Sequence, residues 1–185
     1  MKRVVVTGMG IVSSIGNNTQ EVVASLREAK SGIGRADDYE RLGFRCQVHG
    51  APDIDVEPLI DRRHMRFHAM GTAWNHIAMD QAIADSGLEE SDVSNPRTGI
   101  IMGSGGASTR TLFEACTTTL EKGPKRVGPF AVPKCMSSTA SATLATTALL
   151  TTGEAAQAAT PPANQSEPGS QSGHQCERRK ETPTS

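Results

Sequence analysis

A short glycine-rich stretch is the first candidate for a ligand site in this chain. Residues 100–102 (IIM) form an apolar run typical of a buried parallel strand, and residues 103–106 (GSGG) follow directly. Three glycines in four residues indicate a backbone that turns sharply or approaches another group closely. Because open α/β sheets bind ligands at the carboxyl ends of their strands, the turn is a candidate site. A tight strand-to-helix connection without a ligand explains the pattern equally well.

A second glycine pattern lies near the amino terminus. Residues 2–7 (KRVVVT) read as a buried strand, and Gly8-Met9-Gly10 follows it. The spacing nearly fits the dinucleotide fingerprint, but Ser13 replaces the third glycine and no helix pattern opens there. A dinucleotide-binding reductase is therefore an alternative supported only by two imperfect glycine patterns.

Charged and ligating side chains cluster in residues 61–68 (DRRHMRFH). Arg62, Arg63 and Arg66 lie at the front of a long helix that is predicted to run to about residue 85. Cations at a helix amino terminus oppose the macrodipole, which favours an anionic partner over an ordinary solvated helix start. His64 and His68 have the i, i+4 spacing of a chelating pair, but no third ligand accompanies them, so no metal site is predicted.

The remaining pattern predicts the elements that hold these residues. A helix over residues 18–29 is capped by Asn18 with Glu21 three positions later, and a short strand is possible at residues 44–48. In the long helix, a 3-4-3 spacing predicts one buried stripe, made of Phe67, Met70, Trp74 and Ile77. Gly87 should end that helix. Further helices are predicted at residues 109–120 and 131–150, the latter built of Ser, Thr and Ala.

Composition bounds the class of protein. The chain has 185 residues and a net charge of −1, so no global field draws it to nucleic acid or to a membrane surface. No apolar run reaches transmembrane length, and the amino-terminal run is too short for a signal peptide. The four cysteines show no metal-ligand spacing. We expect a cytosolic protein with reduced thiols.

Residues 151–185 differ from the rest of the chain. They contain no Val, Ile, Leu, Met, Phe, Trp or Tyr, and they hold four of the ten prolines. Such a segment cannot bury enough apolar surface to offset its chain entropy, so a disordered tail is predicted. The predicted organisation is a foldable region at residues 1–150 followed by this tail.

Five long stretches together resemble one known family: VVVTGMGIVSSIGNN, LIDRRHMRF, MDQAIADSGL, NPRTGIIMGSGGAST and KRVGPFAVPKCMSSTASATLAT. They resemble the β-ketoacyl-[acyl-carrier-protein] synthases of fatty-acid elongation, most closely the bacterial type I enzymes. The resemblance implies an α/β fold that is the amino-terminal half of a thiolase-like fold, incomplete in this chain. It implies decarboxylative condensation of an acyl thioester with malonyl-carrier protein, without a metal or dinucleotide cofactor.

The chain departs from this family in its catalytic residues. The resemblance implies a nucleophilic cysteine on a Ser-Ala-Cys-Ala-type turn, followed by two histidines from a second half. No such turn occurs in this sequence, and neither Cys135 nor Cys176 maps onto it. We therefore assign no catalytic residue and expect no condensing activity from this chain alone. The alternative is a non-catalytic fragment that binds carrier protein or contributes dimer contacts.

Two groups of site residues follow from the resemblance. Gly106 and Met136 are expected to line the acyl-chain pocket. The expected docking residues for an acidic acyl carrier protein are Arg62, Arg63, Arg66, Lys125 and, less centrally, Lys122. The resemblance also implies a homodimer.

Deletion of residues 151–185 tests the predicted organisation. Because the tail has no large apolar side chain to bury, the free energy of unfolding should change by no more than about 0.5 kcal/mol. Urea denaturation of both chains, followed by circular dichroism, measures this difference. A large loss of helical signal on deletion would show that the tail is part of the folded region.

Overall fold

The computed structural model of the chain describes residues 3–106 and 108–147. The chain order of the elements is α1 (Thr19–Arg27), β1 (Ile33–Arg35), α2 (Asp37–Arg41), β2 (Val48–Gly50), α3 (Arg62–Met65), α4 (Met70–Ser86), α5 (Glu90–Val93), α6 (Thr109–Lys122), a 3₁₀ turn (Pro124–Arg126), α7 (Ala131–Cys135) and α8 (Thr139–Thr147). The predicted boundary at residue 150 and the predicted tail lie outside the described residues.

Within the described ranges, β1 and β2 make one antiparallel ladder, with Ile33 opposite Gly50. The strand considered at residues 44–48 begins instead at Val48. The two predicted parallel strands are wrong, since residues 3–7 and 100–102 form no strand. A parallel strand takes its hydrogen-bond partners from segments distant in sequence. No segment of the described residues forms a ladder with either run. Val4 and Ile101 are accordingly 94% and 90% exposed.

The segment after the first run packs against α4. A Cβ atom at Gly8 would overlap the carbonyl oxygen of Ala82, and one at Gly10 would overlap the carbonyl oxygen of Ala78. This close approach accounts for both glycines.

Side chains of α4 hold the same segment by hydrogen bonds. The Ile11 amide donates to Gln81 Oε1 at 3.1 Å, and the Met9 amide donates to Asp85 Oδ2 at 2.9 Å. Gln81 Nε2 donates in turn to the Asn17 carbonyl at 2.7 Å. Helix side chains thus satisfy amides that a neighbouring strand would otherwise pair.

The hydrophobic core lies against the same helix. Ala73 and Ile77 of α4 form a buried cluster with Val56 and Ile60 from the loop before α3. Helix α8 packs against α4 and contributes Leu144, which is 2% exposed. The predicted stripe is correct at Ile77 and wrong at Met70, which is 40% exposed.

Local end signals are confirmed. The Glu21 amide donates to Asn18 Oδ1 at 2.9 Å, and the Glu21 carboxylate accepts from the Asn17 amide at 2.8 Å. Gly87 follows the last residue of α4 with φ of 67°, in the left-handed region that glycine tolerates.

Both predicted long helices are interrupted. Residues 66–69 separate α3 from α4, and residues 136–138 separate α7 from α8. At the second break Met136 is extended (φ −86°, ψ 133°), and the Thr139 hydroxyl donates to the Pro133 carbonyl. Among the described residues, no helix has the length and apolar character needed to cross a membrane.

Substitution of Gly10 tests the packing against α4. Gly10→Ala forces a Cβ into helix backbone, which cannot rotate away, so we expect a loss of about 1–3 kcal/mol in unfolding free energy. Gly34→Ala is the matched control, because a Cβ there meets nothing within 4 Å. Urea denaturation should show a change of less than about 0.5 kcal/mol for the control. Equal effects of the two substitutions would contradict the close approach.

Candidate functional site

A cavity of about 820 Å³ lies where the glycine turn, the start of α4 and the α7–α8 break come together. Gly106 and Met136 both line it, although they are far apart in the chain. The structure therefore brings the two predicted acyl-pocket residues to one cavity. Met136 lies in the helix break rather than on a helix, which corrects the sequence-based placement.

The cavity wall combines apolar and polar side chains. Met65, Met70 and Trp74 contribute apolar surface, while Arg110 and Lys134 contribute positive charge. Methionine and tryptophan side chains of this kind suit a flexible aliphatic ligand. Glu114 also lines the wall, so these charged side chains together suit a strongly polar end of a ligand.

The glycine turn shapes one side of this cavity. Ser104 Oγ donates to the Gly106 carbonyl at 2.7 Å, which fixes the bend. A Cβ at Gly106 would meet nothing within 4 Å. The glycine therefore leaves free volume that a larger side chain would occupy.

The described part of the chain has three cysteines, none of which lines this cavity. Cys46 and Cys116 are exposed free thiols, and Cys135 is a half-buried free thiol. Serine and threonine hydroxyls reach the wall, among them Ser104, whose hydroxyl holds the turn.

The predicted docking residues lie on α3 and around the 3₁₀ turn. Arg62, Arg63 and Arg66 are exposed on α3 or directly after it, and Lys122 and Lys125 are exposed at the end of α6 and on the turn. Asp61 caps α3 by accepting from the Arg63 amide at 2.6 Å. The helix has four residues, so the macrodipole argument for an anionic partner is wrong here. These arginines precede α4 instead of forming its first turn.

An aromatic contact links the residues after α3 to Phe130, which directly precedes α7. The rings of Phe67 and Phe130 meet edge to face, with centroids 5.1 Å apart and an interplanar angle of 89°. The Arg66 guanidinium carbon lies 6.0 Å from the Phe67 centroid and 5.7 Å from the Phe130 centroid. Such cation–π contacts favour one position of the guanidinium. Sequence reasoning missed this pair, because the apolar period assigned Phe67 to the α4 stripe.

One ring nitrogen of the histidine pair is engaged by the backbone. His68 Nδ1 lies 2.6 Å from the His64 carbonyl oxygen, so that nitrogen carries a proton and is unavailable to a metal ion. Across residues 3–106 and 108–147, no group of three or more His, Cys, Asp or Glu side chains could hold a metal ion.

The sequence matches the beta-ketoacyl synthase N-terminal domain family over residues 1–160. This chain belongs to the beta-ketoacyl synthase family. The match includes all five stretches that carry the resemblance.

Curated relatives agree with this assignment. The chain is 49% identical over 148 residues to 3-oxoacyl-[acyl-carrier-protein] synthase 1 of Escherichia coli strain K12, covering 79% of this chain and 36% of the relative. It is 43% identical over 147 residues to the synthase of the same name from Haemophilus influenzae, with coverages of 79% and 36%. The chain therefore spans just over a third of the length of these relatives.

Solved ketosynthases share the fold. A beta-ketoacyl synthase from Burkholderia phymatum STM815 superposes with a TM-score of 0.70 at 25% identity, covering 81% of this chain and 38% of that protein. A ketosynthase of a type II polyketide synthase, solved in complex with its acyl-carrier protein, gives a TM-score of 0.63 at 20% identity, covering 80% and 39%. The mixed helix-and-strand architecture of this chain is thus that of part of a ketosynthase.

Proposed function

We propose that this chain supplies the carrier-protein docking surface and part of the acyl-chain pocket of a β-ketoacyl-[acyl-carrier-protein] synthase. The reaction served is the decarboxylative condensation that elongates fatty acids. In this proposal the chain is a cytosolic, amino-terminal portion of a thiolase-like fold and contributes to a homodimer. The contact of Arg66 with Phe67 and Phe130 carries the proposal, because it brings the first basic segment against a residue that follows Lys125 by five positions.

Charge complementarity is the physical basis of the docking role. Acyl carrier proteins are strongly acidic in the family that this chain resembles. Exposed arginines and lysines would mainly steer the encounter and fix its register, and each contact should contribute only about 0.2–1 kcal/mol. A ketosynthase with a related fold has been solved in complex with its acyl-carrier protein, which supports a carrier protein as the partner.

The acyl-pocket role rests on the cavity. Gly106 leaves free volume in its wall and Met136 adds an adaptable apolar side chain. An acyl chain would lie against the methionines and Trp74, and burial of its methylenes would supply the affinity.

In our proposal no residue of this chain acts as the nucleophile for acyl transfer. Acyl transfer needs a thiolate placed beside donors for the developing oxyanion. The sequence has no cysteine turn of the family type, so the chain binds but does not condense. A purely interacting fragment, with the docking surface and no acyl binding, is the alternative, and the two experiments below separate it from the proposed function.

Charge reversal at two exposed arginines tests docking. Arg62→Glu/Arg63→Glu should weaken binding of holo acyl carrier protein to the full chain about five- to thirtyfold at low ionic strength, a loss of about 1–2 kcal/mol. The difference should shrink at higher salt because exposed charges are screened. Fluorescence anisotropy of labelled carrier protein measures both effects. Arg66 is left intact because it also packs on the two phenylalanine rings.

A matched charge reversal controls for net charge. Arg45→Glu/Arg97→Glu reverses two exposed arginines on other segments and changes the net charge by the same amount as the docking variant. It should leave carrier-protein binding within about twofold of the wild type. Equal weakening by both double variants would show that net charge, rather than a defined surface, controls binding.

Substitution of Gly106 tests the acyl pocket. Gly106→Met should lower the affinity for long acyl thioester analogues and spare short ones, by about fourfold for each methylene excluded, at ~0.8 kcal/mol per methylene. Calorimetry with a chain-length series measures the cut-off. Gly99→Met is the control, because a Cβ at Gly99 also meets open space but Gly99 does not line the cavity. An unchanged cut-off in Gly106→Met would remove the pocket role.

A further inference from the structure

Three histidines meet at the junction of α3 and α4. The ring centroids of His68 and His76 are 5.3 Å apart, and those of His64 and His76 are 6.3 Å apart. His68 is 2% exposed and His76 is 4% exposed. The neutral rings can pack at these distances, whereas two imidazolium ions would repel each other in a site that water scarcely reaches.

The hydrogen bonds of the two buried rings fit their neutral forms. His68 Nδ1 donates to the His64 carbonyl, and His76 Nε2 lies 3.4 Å from Asp80 Oδ2. The second ring nitrogen of each, His68 Nε2 and His76 Nδ1, is buried and has no hydrogen-bond partner among the described residues. Protonation would place an N–H at an atom that has no acceptor, which costs free energy.

The surrounding charges are few. His68 faces His64, His76 and Lys134 of α7, while His76 faces His64 and Asp80 of its own helix. Helix α8, which packs on α4, has no titratable side chain in its sequence TASATLATT. Among these charged groups, only Asp80 beside His76 favours a charged ring. Burial lowers the pKa of His68 and of His76, and neither the His64 carbonyl nor Asp80 reverses that direction.

We propose that the His64–His68–His76 cluster is a pH-sensitive latch that keeps α3 packed on α4 when His68 and His76 are neutral and releases it in mild acid. In the opened state water reaches both rings, so His68 and His76 can each bind a proton that the packed state disfavours. Release frees the segment from Arg62 to Ala69 while the core of α4 stays formed.

The direction of the pH dependence follows from linkage. An opened histidine titrates near its ordinary value of about 6.5, and the packed one titrates at lower pH. Well above pH 6.5 neither state takes up a proton, so the opening equilibrium constant is lowest and independent of pH there. As the pH falls below that value the opened state binds protons first. The opening equilibrium constant should then rise by up to about tenfold per pH unit for each buried histidine.

Hydrogen exchange of the full chain measures this opening. After correction for intrinsic rates, amides of residues 62–69 should lose protection progressively from about pH 7 to about pH 5.5, while amides of α4 and α6 change little. The double variant His68→Met/His76→Phe keeps apolar volume and one aromatic ring but cannot titrate. Its protection should be independent of pH over the same range. His49→Gln removes an exposed histidine of β2 and should behave as the wild type.

A second measurement does not depend on the folding of the variant. A nuclear magnetic resonance titration of histidine ring carbons in the wild-type chain should give two histidines with pKa values below the ordinary range. Normal pKa values for both, unchanged wild-type protection in acid, or an equal loss in the double variant would each overturn the proposal.

The latch has a consequence that rests on the proposed function. Because α3 carries Arg62 and Arg63, its release would weaken carrier-protein binding in acid. Hydrogen exchange and ring titration read the latch without any carrier protein. A latch that opens while binding stays constant would leave the latch standing and count against the docking surface.

Discussion

The close approach of the Gly8–Gly10 backbone to helix α4 is the constraint on which the described structure depends. Without Cβ atoms, this segment lies against helix carbonyls, and Gln81 and Asp85 can reach its amides. The helix held in this way also supplies the buried Ala73 and Ile77 and contacts α8. A glycine pattern that suggested a phosphate cradle therefore serves packing. The same feature of glycine, its lack of a side chain, fits both interpretations, and only the identity of the neighbouring group separates them.

Features decided within a few residues could be predicted from the sequence. The Asn18 cap and the Gly87 end are correct because a cap is satisfied by amides three positions away and a left-handed residue by its own backbone. The strands predicted at residues 2–7 and 100–102 are wrong, because they depend on more than the local sequence. A β-branched run reports a preference, but a ladder needs a second segment in register, and no local pattern specifies that partner.

The two helix breaks account for most of the errors in the sequence-based prediction of the candidate site. The predicted 3-4-3 apolar spacing starts at Phe67, inside the first break, and neither residues 66–69 nor residues 136–138 contain a glycine or proline to mark an interruption. The first break separates α3, with Arg62 and Arg63, from α4, and the second places Met136 at the cavity wall. The shared cavity of Gly106 and Met136 was predictable only from the family resemblance. Residue types and local spacing do not indicate that two positions on different elements lie close together in space.

Helix α3 is a single turn that carries exposed cations on one side and a half-buried histidine on the other. Arg62 and Arg63 of α3 are exposed, while His64 is half-buried and faces the two buried histidines. Exposed charges lose strength with salt, so a docking surface made of them depends on how firmly the backbone beneath holds their spacing. In our proposal that backbone is held by the aromatic contact at Arg66 and by the neutral rings of the latch. The affinity of the surface would therefore depend on buried groups that never touch the partner.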